Sequence, residues 1–224
     1  MPKKVKPRIA LVVSDKESNA QIKCLGVDLL ELRTDLFKKL DPAYAASQIK
    51  LRRVLKIPLL LTVRNQKKEG ARKIFSDALK WRMMETVLPL VDMVDIELSS
   101  PLLNQVVALA RQHSKKVIVS SHYLDHTPTH MESIFKKALS TRADIVKIAA
   151  KANTWDDVLR MIKFTHTHHK HPLITVSMGT WGTISRLLLP AAGSLYTYTF
   201  LQKPSASGQI DVKTLKSHLK FYYP

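Results

Sequence analysis

Eight short runs of apolar residues, rich in valine and isoleucine, recur along the chain. They occupy residues 9–13, 27–33, 59–64, 93–97, 117–121, 145–149, 173–177 and 195–199. Several runs are nearly continuous rather than alternating in polarity, which is typical of strands that are covered on both faces. The pattern therefore predicts eight strands of a largely parallel sheet.

The segments between these runs carry signals for helices. Ser100 followed by Pro101 is typical of an N-cap and a first helical residue. Thr154, with Asp157 three residues later, resembles a capping box. Asp211 precedes apolar residues at helical spacing. We therefore expect helices to begin directly after residues 100, 154 and 211.

Strands and helices that alternate along a chain favour an α/β fold with a parallel sheet. Eight such units in 224 residues leave about 28 residues for each unit, which fits a compact (β/α)8 TIM barrel. Because no linker or break in composition divides the chain, we expect a single catalytic barrel domain over residues 1–224. A doubly wound open sheet is an alternative on pattern alone.

Composition narrows the cellular setting. Cys24 is the only cysteine, which excludes an internal disulfide framework and a zinc site built from cysteines, and which fits a reducing compartment. The N-terminus is basic, but the apolar run at 9–13 is shorter than a signal-peptide core. No stretch approaches the roughly 18 apolar residues that span a bilayer. We expect a cytoplasmic protein that does not bind a membrane.

The charge of the chain raises the alternative of a nucleic-acid-binding protein. Lys and Arg number 36 against 18 Asp and Glu, a formal net charge of +18. The excess is strongest in residues 50–73, where nine basic residues accompany one acid, Glu69. Aromatic side chains that could stack on bases are missing nearby. We therefore interpret this segment as a solvated basic face and do not expect nucleic acid as a partner.

Polar residues gather at the carboxyl ends of the predicted strands, where barrel enzymes carry their chemistry. Charges beside apolar strands are costly to desolvate unless they are paired. Their repetition at one end therefore indicates a polar cleft. The residues concerned are Glu31, Arg33, Thr62, Arg64, Asp95, Glu97, His122, Lys147, Ser177 and Met178.

Two of these residues suggest a covalent mechanism. Lys147 lies within an apolar strand, where burial disfavours the ammonium and lowers the pKa of a lysine. A neutral amine can attack a ketone and form a Schiff base. His122 directly follows the preceding predicted strand, and an imidazole can take and return a proton near neutral pH. The alternatives are a lysine that reaches out to solvent and a structural histidine.

A metal site is a further alternative for the same cleft. Glu31, Glu97 and His122 are residue types that bind metals. We do not expect a metal, because the neighbouring cations would repel it: Arg33, Arg64 and Lys147. The histidine-rich tract at 166–171 ends a predicted helix, where basic side chains suit the helix dipole.

Separated motifs of polar and small residues follow one another along the chain. They are 31–35 (ELRTD), 62–64 (TVR) with 69–70 (EG), 91–98 (VDMVDIEL), 121–122 (SH) with 127–128 (TP), 143–149 (ADIVKIA), 177–179 (SMG), 184–186 (ISR), 193–194 (GS) and 205–209 (SASGQ). Together they resemble the type I 3-dehydroquinate dehydratases of the shikimate pathway. The resemblance runs from the first strand to the last helix, and it is specific because the motifs all occur in the family's order.

The resemblance implies a barrel lyase without a metal or organic cofactor. Lys147 would form an imine with the C3 ketone of 3-dehydroquinate, a small-molecule substrate. His122 would remove a C2 proton and help to expel the C1 hydroxyl as water, which leaves 3-dehydroshikimate. Glu69 would support the histidine. Members of this family are often dimeric, so a homodimer is an expected assembly.

The resemblance also implies the residues that hold the substrate. Arg186 and the closing loop would bind its carboxylate, while Glu31, Arg33 and Arg64 would bind ring hydroxyls. The loop residues are Ser205, Ala206 and Gln209. Met178 would pack beside the imine, and Ser14 at the end of the first strand would touch the substrate.

The chain departs from the family pattern near Glu69. Glu69 stands five positions after Arg64, one more than in many members, and Ala71 replaces the second glycine of that loop. These departures put the role of Glu69 in question. Ser207 replaces a common proline in the closing loop. A Schiff-base aldolase remains an alternative, but it needs phosphate-binding glycines after the seventh and eighth strands.

Overall fold

The structure is a computed structural model that describes residues 6–223. Residues 1–5 and 224 lie outside the described residues. The basic start of the chain, which the signal-peptide prediction considers, falls mostly among them.

Eight strands alternate with helices along the chain. The strands are β1 (Arg8–Val13), β2 (Leu29–Arg33), β3 (Leu59–Thr62), β4 (Met93–Glu97), β5 (Lys116–Tyr123), β6 (Ile145–Lys151), β7 (Leu173–Met178) and β8 (Tyr196–Phe200). They form one parallel sheet in the order β7-β6-β5-β4-β3-β2-β1-β8. The end strands meet, because the Leu195 amide donates to the Leu173 carbonyl at 2.8 Å. The predicted (β/α)8 barrel is confirmed, and the open sheet is wrong.

The helices cover the outside of this barrel. They are α1 (Asn19–Lys23), α2 (Pro42–Arg53), α3 (Asp77–Val87), α4 (Leu103–Gln112), α5 (Met131–Ser140), α6 (Trp155–Thr167), α7 (Gly179–Gly182), α8 (Ser185–Ala192) and α9 (Val212–Tyr222). Single 3-10 turns occur at Thr34–Leu36, Lys67–Glu69 and Leu88–Leu90. Among residues 6–223, no helix is long and apolar enough to cross a membrane.

Two of the three predicted helix starts are confirmed. Thr154 and Asp157 form a complete capping box at the start of α6. Asp211 accepts hydrogen bonds from the amides of Lys213 and Thr214 at the start of α9. The start at Ser100 is wrong. Its hydroxyl accepts from the Leu102 amide at 3.3 Å within a preceding turn, so α4 begins only at residue 103.

The strands bury both of their faces. Side chains at one parity pack inside the barrel, as Val12, Leu60 and Ile174 do, whereas those at the other parity pack under the helices. This alternation decides which strand-end residues meet. Glu31, Asp95 and Lys147 have the inward parity and occupy the upper layer of the barrel above its apolar filling.

Two strand ends differ from the prediction in ways that matter for the site. β5 continues to Tyr123, so His122 lies inside the strand and not after it. β3 ends at Thr62, so Arg64 stands just beyond the strand, where its side chain can turn towards β4 and β5.

Candidate active site

Lys147 lies at the centre of the upper layer and is only 5% exposed. Its Nζ donates to Glu31 Oε1 at 3.1 Å and to Asp95 Oδ2 at 3.4 Å. Nζ also lies 4.3 Å from the centre of the Tyr198 ring, within the range of a cation–π contact. The lysine is therefore buried and paired, and it does not reach out to solvent.

These partners overturn the expected charge of the lysine. Burial pushes the pKa of Lys147 down, but the carboxylates of Glu31 and Asp95 outweigh burial, and the net pKa lies above its ordinary value. The expectation that burial leaves a neutral amine is wrong for the free site. A proton must leave Nζ before it can act as a nucleophile.

A chain of alternating charges connects Lys147 to the outside of the barrel. Arg64 donates to Asp95 Oδ1 at 2.9 Å and lies 3.7 Å from Glu97 Oε1. Glu97 in turn accepts from Lys80 of α3, which is fully buried. Burial opposes the charge of Asp95, but Arg64 and Lys147 lower the pKa of its carboxyl. Arg64, Lys147 and Asp95 therefore stabilise one another in their charged forms.

The same arginine reaches the histidine. Arg64 Nη1 lies 2.8 Å from His122 Nδ1, and Glu69 Oε2 lies 3.1 Å from the same nitrogen. Glu69 also accepts from the His122 backbone amide at 3.1 Å and from Ser99 at 2.8 Å. The longer loop therefore still brings the Glu69 carboxylate to the histidine, because the 3-10 turn at Lys67–Glu69 folds it inward.

The protonation of these two groups follows from their surroundings. Burial, reinforced by the positive charges of Arg64, Lys147 and Arg33, holds the pKa of His122 well below its usual range. The imidazole is therefore neutral at neutral pH. Burial likewise raises the pKa of the Glu69 carboxyl, against the opposing hydrogen bond from Ser99.

Arg186 at the start of α8 presents donors that nothing in the described chain satisfies. The side chain is 3% exposed, and its Nε and Nη2 atoms lack a hydrogen-bond partner among residues 6–223. Burial lowers the pKa of Arg186 to about 10, which still leaves it charged at neutral pH. A buried unpaired guanidinium is costly, so this geometry favours an anionic ligand that accepts from its fork.

A cavity of about 60 Å³ surrounds Lys147 and opens into one of about 350 Å³. The inner cavity brings together ten of the twelve predicted site residues: Glu31, Arg33, Arg64, His122, Lys147, Met178, Arg186, Ser205, Ala206 and Gln209. Five of them also line the outer cavity: Arg33, His122, Met178, Ser205 and Ala206. The larger opening has the size of a small-molecule site. A further cavity of about 650 Å³ is lined by Glu69 and His122 but not by Lys147.

The loop between β8 and α9 covers this cavity. Gln209 Oε1 accepts from the Ser205 amide at 2.7 Å and from the Ala206 amide at 3.2 Å, which closes the loop on itself. The Gly179 amide donates to the Ser207 carbonyl at 3.2 Å and joins the loop to the end of β7. Ser205, Ala206 and Gln209 of this loop line the inner cavity together with Arg186.

Three predicted residues are occupied by other protein groups. Arg33 forms a two-pronged pair with Asp35, at 2.7 Å for both contacts, and also donates to the Gly70 carbonyl. Glu31 accepts from Thr62 at 2.9 Å as well as from the lysine. Ser14 does not line the inner or the outer cavity, and its hydroxyl donates to Glu17 in the loop after β1.

The carboxylates of the site are paired with cations instead of facing one another. Within residues 6–223, no three His, Cys, Asp or Glu side chains form a group that could hold a metal ion. The histidine tract also has protein partners. His168 lies 4.3 Å from the ring centre of Phe135 and contacts Glu132, which joins α6 to α5.

Two buried polar residues of this region are not among the predicted site residues. Tyr198 lines the inner cavity from β8, and its inward parity is the signal that could have found it. Lys80 shares its face of α3 with Met83, Met84 and Val87, at helical spacing of three, four and seven residues. A lysine on an otherwise apolar face indicates a buried partner, and Glu97 is that partner.

Barrel enzymes hold their chemistry at the carboxyl ends of the strands. The polar cavity at the carboxyl ends of the strands, with its buried lysine and unpaired arginine, defines the chain as a barrel enzyme that acts on a small molecule.

Comparison with known proteins identifies the family. The sequence profile described as type I 3-dehydroquinase matches residues 9–224. The chain is 32% identical over 220 residues to a 3-dehydroquinate dehydratase of Hydrogenobaculum, a match that covers 96% of this chain and 99% of the relative. A 3-dehydroquinate dehydratase of Bacillus licheniformis is 35% identical over 217 residues, 91% of this chain and 85% of the relative.

Solved structures agree with these sequence matches. The crystal structure of the 3-dehydroquinate dehydratase from Aquifex aeolicus superposes with a TM-score of 0.85 at 30% identity, over 97% of this chain and 99% of that one. A type I enzyme from Clostridium difficile, which holds covalently modified comenic acid, gives a TM-score of 0.88 at 29% identity, over 97% and 93%. The chain belongs to the type I 3-dehydroquinase family, whose members are lyases that dehydrate 3-dehydroquinate through a Schiff base in the shikimate pathway.

Proposed function

We propose that Lys147 is the Schiff-base lysine of this dehydratase and that His122 moves the protons of the reaction. The observation that carries this assignment is the position of Lys147, which is buried at the centre of the upper barrel layer and lines one cavity with His122 and Arg186. Arg186 binds the substrate carboxylate through its two unpaired donors, together with Ser205, Ala206 and Gln209 of the covering loop.

The first step is the loss of a proton from Lys147. Glu31 Oε1, at 3.1 Å from Nζ, is positioned to accept it. The free amine then attacks C3 of 3-dehydroquinate. The ketone oxygen leaves as water when the protonated imine forms, taking one proton from the attacking nitrogen and the other from Glu31, which becomes a carboxylate again. Because the protonated imine withdraws electrons, a proton on C2 becomes acidic enough for an imidazole to remove.

His122 can serve as base and then as acid, because Glu69 holds a proton on Nδ1 throughout. With a proton on Nδ1, the ring donates to Glu69 and leaves Nε2 free to accept the C2 proton. The imidazolium that results keeps its Nδ1 proton on the hydrogen bond to Glu69 and gives its Nε2 proton to the C1 hydroxyl. That hydroxyl leaves as water while the C1–C2 double bond forms, and the ring returns to its starting neutral form. Hydrolysis of the imine returns Lys147 and releases 3-dehydroshikimate.

The remaining contacts hold the substrate ring. Arg33 and Arg64 line the inner cavity and bind ring hydroxyls, and Met178 packs beside the imine. Glu31 has a second role here, since its carboxylate also accepts from a ring hydroxyl. Ser14 remains a predicted substrate contact, although its hydroxyl is engaged by Glu17 in the free protein.

Borohydride reduction tests the assignment, because it converts a protonated imine into a stable amine. The protein is incubated with 3-dehydroquinate and sodium borohydride, and its mass and modified peptide are measured. We expect one adduct on Lys147 and none in Lys147→Ala. Lys151→Ala is the matched control, since it removes a lysine of the same strand that is exposed.

Turnover is followed in parallel through the ultraviolet absorbance of the conjugated product. His122→Ala should still form some adduct but should lose nearly all turnover. An adduct on another residue, or equal turnover in Lys147→Ala and the unaltered protein, would overturn the assignment.

We further propose that residues 1–224 form one catalytic domain that works in the cytoplasm as a homodimer and does not bind nucleic acid. Exposed Cys24, without a disulfide, supports a reducing compartment.

Part of the basic excess, such as Arg33 and Arg64, lies at the cavity, which supports a small anionic substrate over nucleic acid. Light scattering at several concentrations tests the dimer, and a salt-dependent complex with RNA would contradict the last point.

A further inference from the structure

Tyr198 of β8 carries a buried hydroxyl that the reaction described above does not use. The residue is 4% exposed, and its hydroxyl lacks a hydrogen-bond partner among residues 6–223. Buried tyrosine hydroxyls are usually paired, because an unpaired one loses its bond to water without replacement. An unpaired hydroxyl in a substrate site therefore indicates that it forms a hydrogen bond with an atom of the bound ligand.

The Tyr198 ring lies beside Lys147 and lines the same inner cavity as Arg186. Lys147 Nζ lies over its face at 4.3 Å from the ring centre. Arg186 lines the same inner cavity, and its Nε and Nη2 atoms are also without partners in the described chain. The cavity thus presents two neighbouring side chains that can donate hydrogen bonds and have no acceptor within the protein.

We propose that Tyr198 is a further substrate-binding residue, whose hydroxyl donates a hydrogen bond to the substrate carboxylate alongside Arg186. This inference rests on the roles proposed for Arg186 and Lys147. A carboxylate offers two oxygens and about four lone pairs, so it can accept from the arginine fork and from a phenol at the same time. Tyr198 would then favour an anionic substituent at C1 over a neutral one.

The ionisation of Tyr198 is compatible with this role. Burial raises the pKa of its phenol, although the neighbouring Lys147 ammonium opposes the rise. The phenol therefore keeps its proton at neutral pH and acts as a donor. A phenolate would repel the carboxylate.

The chain offers a matched control for the test. Tyr196 lies two residues earlier on β8, faces the barrel interior and is 7% exposed, but it does not line the inner cavity. Its ring instead stacks with Arg8 at 4.9 Å, near the start of β1. Tyr198→Phe and Tyr196→Phe make the same chemical change on the same face of one strand.

The experiment measures kcat and KM for 3-dehydroquinate, and the unfolding temperature, for both variants. We expect Tyr198→Phe to raise KM about 10- to 100-fold, the range for losing a hydrogen bond to a charged group, while kcat changes less than threefold. The unfolding temperature of the free protein should stay the same or rise, because the lost hydroxyl had no partner. Tyr196→Phe should leave both kinetic constants within twofold.

Three results would overturn the proposal. They are kinetic constants for Tyr198→Phe within twofold of the unaltered protein, a loss carried by kcat alone, and a fall in unfolding temperature that accompanies the loss of activity. Borohydride trapping on Lys147 distinguishes this failure from a failure of the proposed mechanism. If the unaltered protein still forms the adduct, only the role of Tyr198 is refuted.

Discussion

Replacement of Lys80 by methionine removes one charge from the buried chain that leads to Lys147. The Lys80 side chain is fully buried in α3, where its Nζ pairs with Glu97 and lies 3.3 Å from Asn65 Oδ1. Methionine has a similar length and no charge, so the variant tests the ammonium with little change in packing. It leaves Glu97 buried with Arg64 as its nearest remaining cation, at 3.7 Å.

The magnitude follows from what Glu97 keeps. Breaking a buried ion pair by removing one partner costs about 3–5 kcal/mol of folding free energy. The remaining attraction between Glu97 and Arg64 is about 4.5 kcal/mol at 3.7 Å for an effective dielectric constant of about 20. Because Arg64 still compensates part of the charge of Glu97, we expect a loss at the lower end of that range, about 3 kcal/mol. For a chain of this size the unfolding temperature should fall by about 6–12 °C.

Urea unfolding followed by circular dichroism measures the free energy of unfolding. Lys136→Met is the matched control, since it breaks an exposed pair with Glu132 and should change that free energy by less than about 0.5 kcal/mol. The double variant Lys80→Met/Glu97→Gln should recover stability relative to Lys80→Met. Borohydride trapping should persist in folded Lys80→Met, because Glu31 and Asp95 still hold Lys147.

A loss of less than about 1 kcal/mol in Lys80→Met, equal to that of Lys136→Met, would refute the reasoning. It would mean that Lys80 does not compensate the buried charge of Glu97 in solution. Failure of the double variant to recover any stability would refute the pairing itself.

Three further predictions concern the covering loop and the charges of the site. Gly208→Ala should raise KM about tenfold, because φ is +74° and an added Cβ would lie 2.3 Å from the Gly179 carbonyl oxygen; Gly26→Ala, with positive φ but only a lysine tip nearby, should leave KM unchanged. Glu31→Gln should lower the pKa of Lys147, so that acetylation of Lys147 by an amine-reactive reagent begins at lower pH. An unchanged pH dependence of acetylation would contradict the ion pair between Glu31 and Lys147. The pKa of Asp95 is lowered in the folded state, so its contribution to stability is present above its ordinary pKa and is lost as the pH falls below it. Between about pH 5 and pH 2, Asp95→Asn should therefore lose less free energy of unfolding than the unaltered protein. An equal loss in the two proteins would count against the pair with Arg64.

The barrel could be predicted because its signals are local. Apolar runs, helix caps and the number of units are all properties of short segments, and Thr154 with Asp157 forms its capping box within four residues. The prediction at Ser100 is wrong for a related reason. Serine caps turns as readily as helices, and only the path of the following backbone distinguishes the two.

The candidate site could be predicted in part for the same reason. Parallel strands bring their carboxyl ends to one rim, so Glu31, Arg64, His122 and Lys147 had to lie near one another once the barrel was assumed. Ser14 also follows directly after a strand, but its hydroxyl donates to Glu17, a contact that strand position does not determine.

The sequence by itself determined the barrel, the rim on which the polar residues stand and the family to which they point. Only the tertiary structure decided how the charges pair. Glu31 and Lys147 are 116 residues apart, and Arg64 and His122 are 58 apart, so no local pattern records either contact. The charge of Lys147 depends on the contacts with Glu31 and Asp95. The strand sequence shows only that the lysine is buried, which lowers its pKa, whereas the two carboxylates raise the pKa by more.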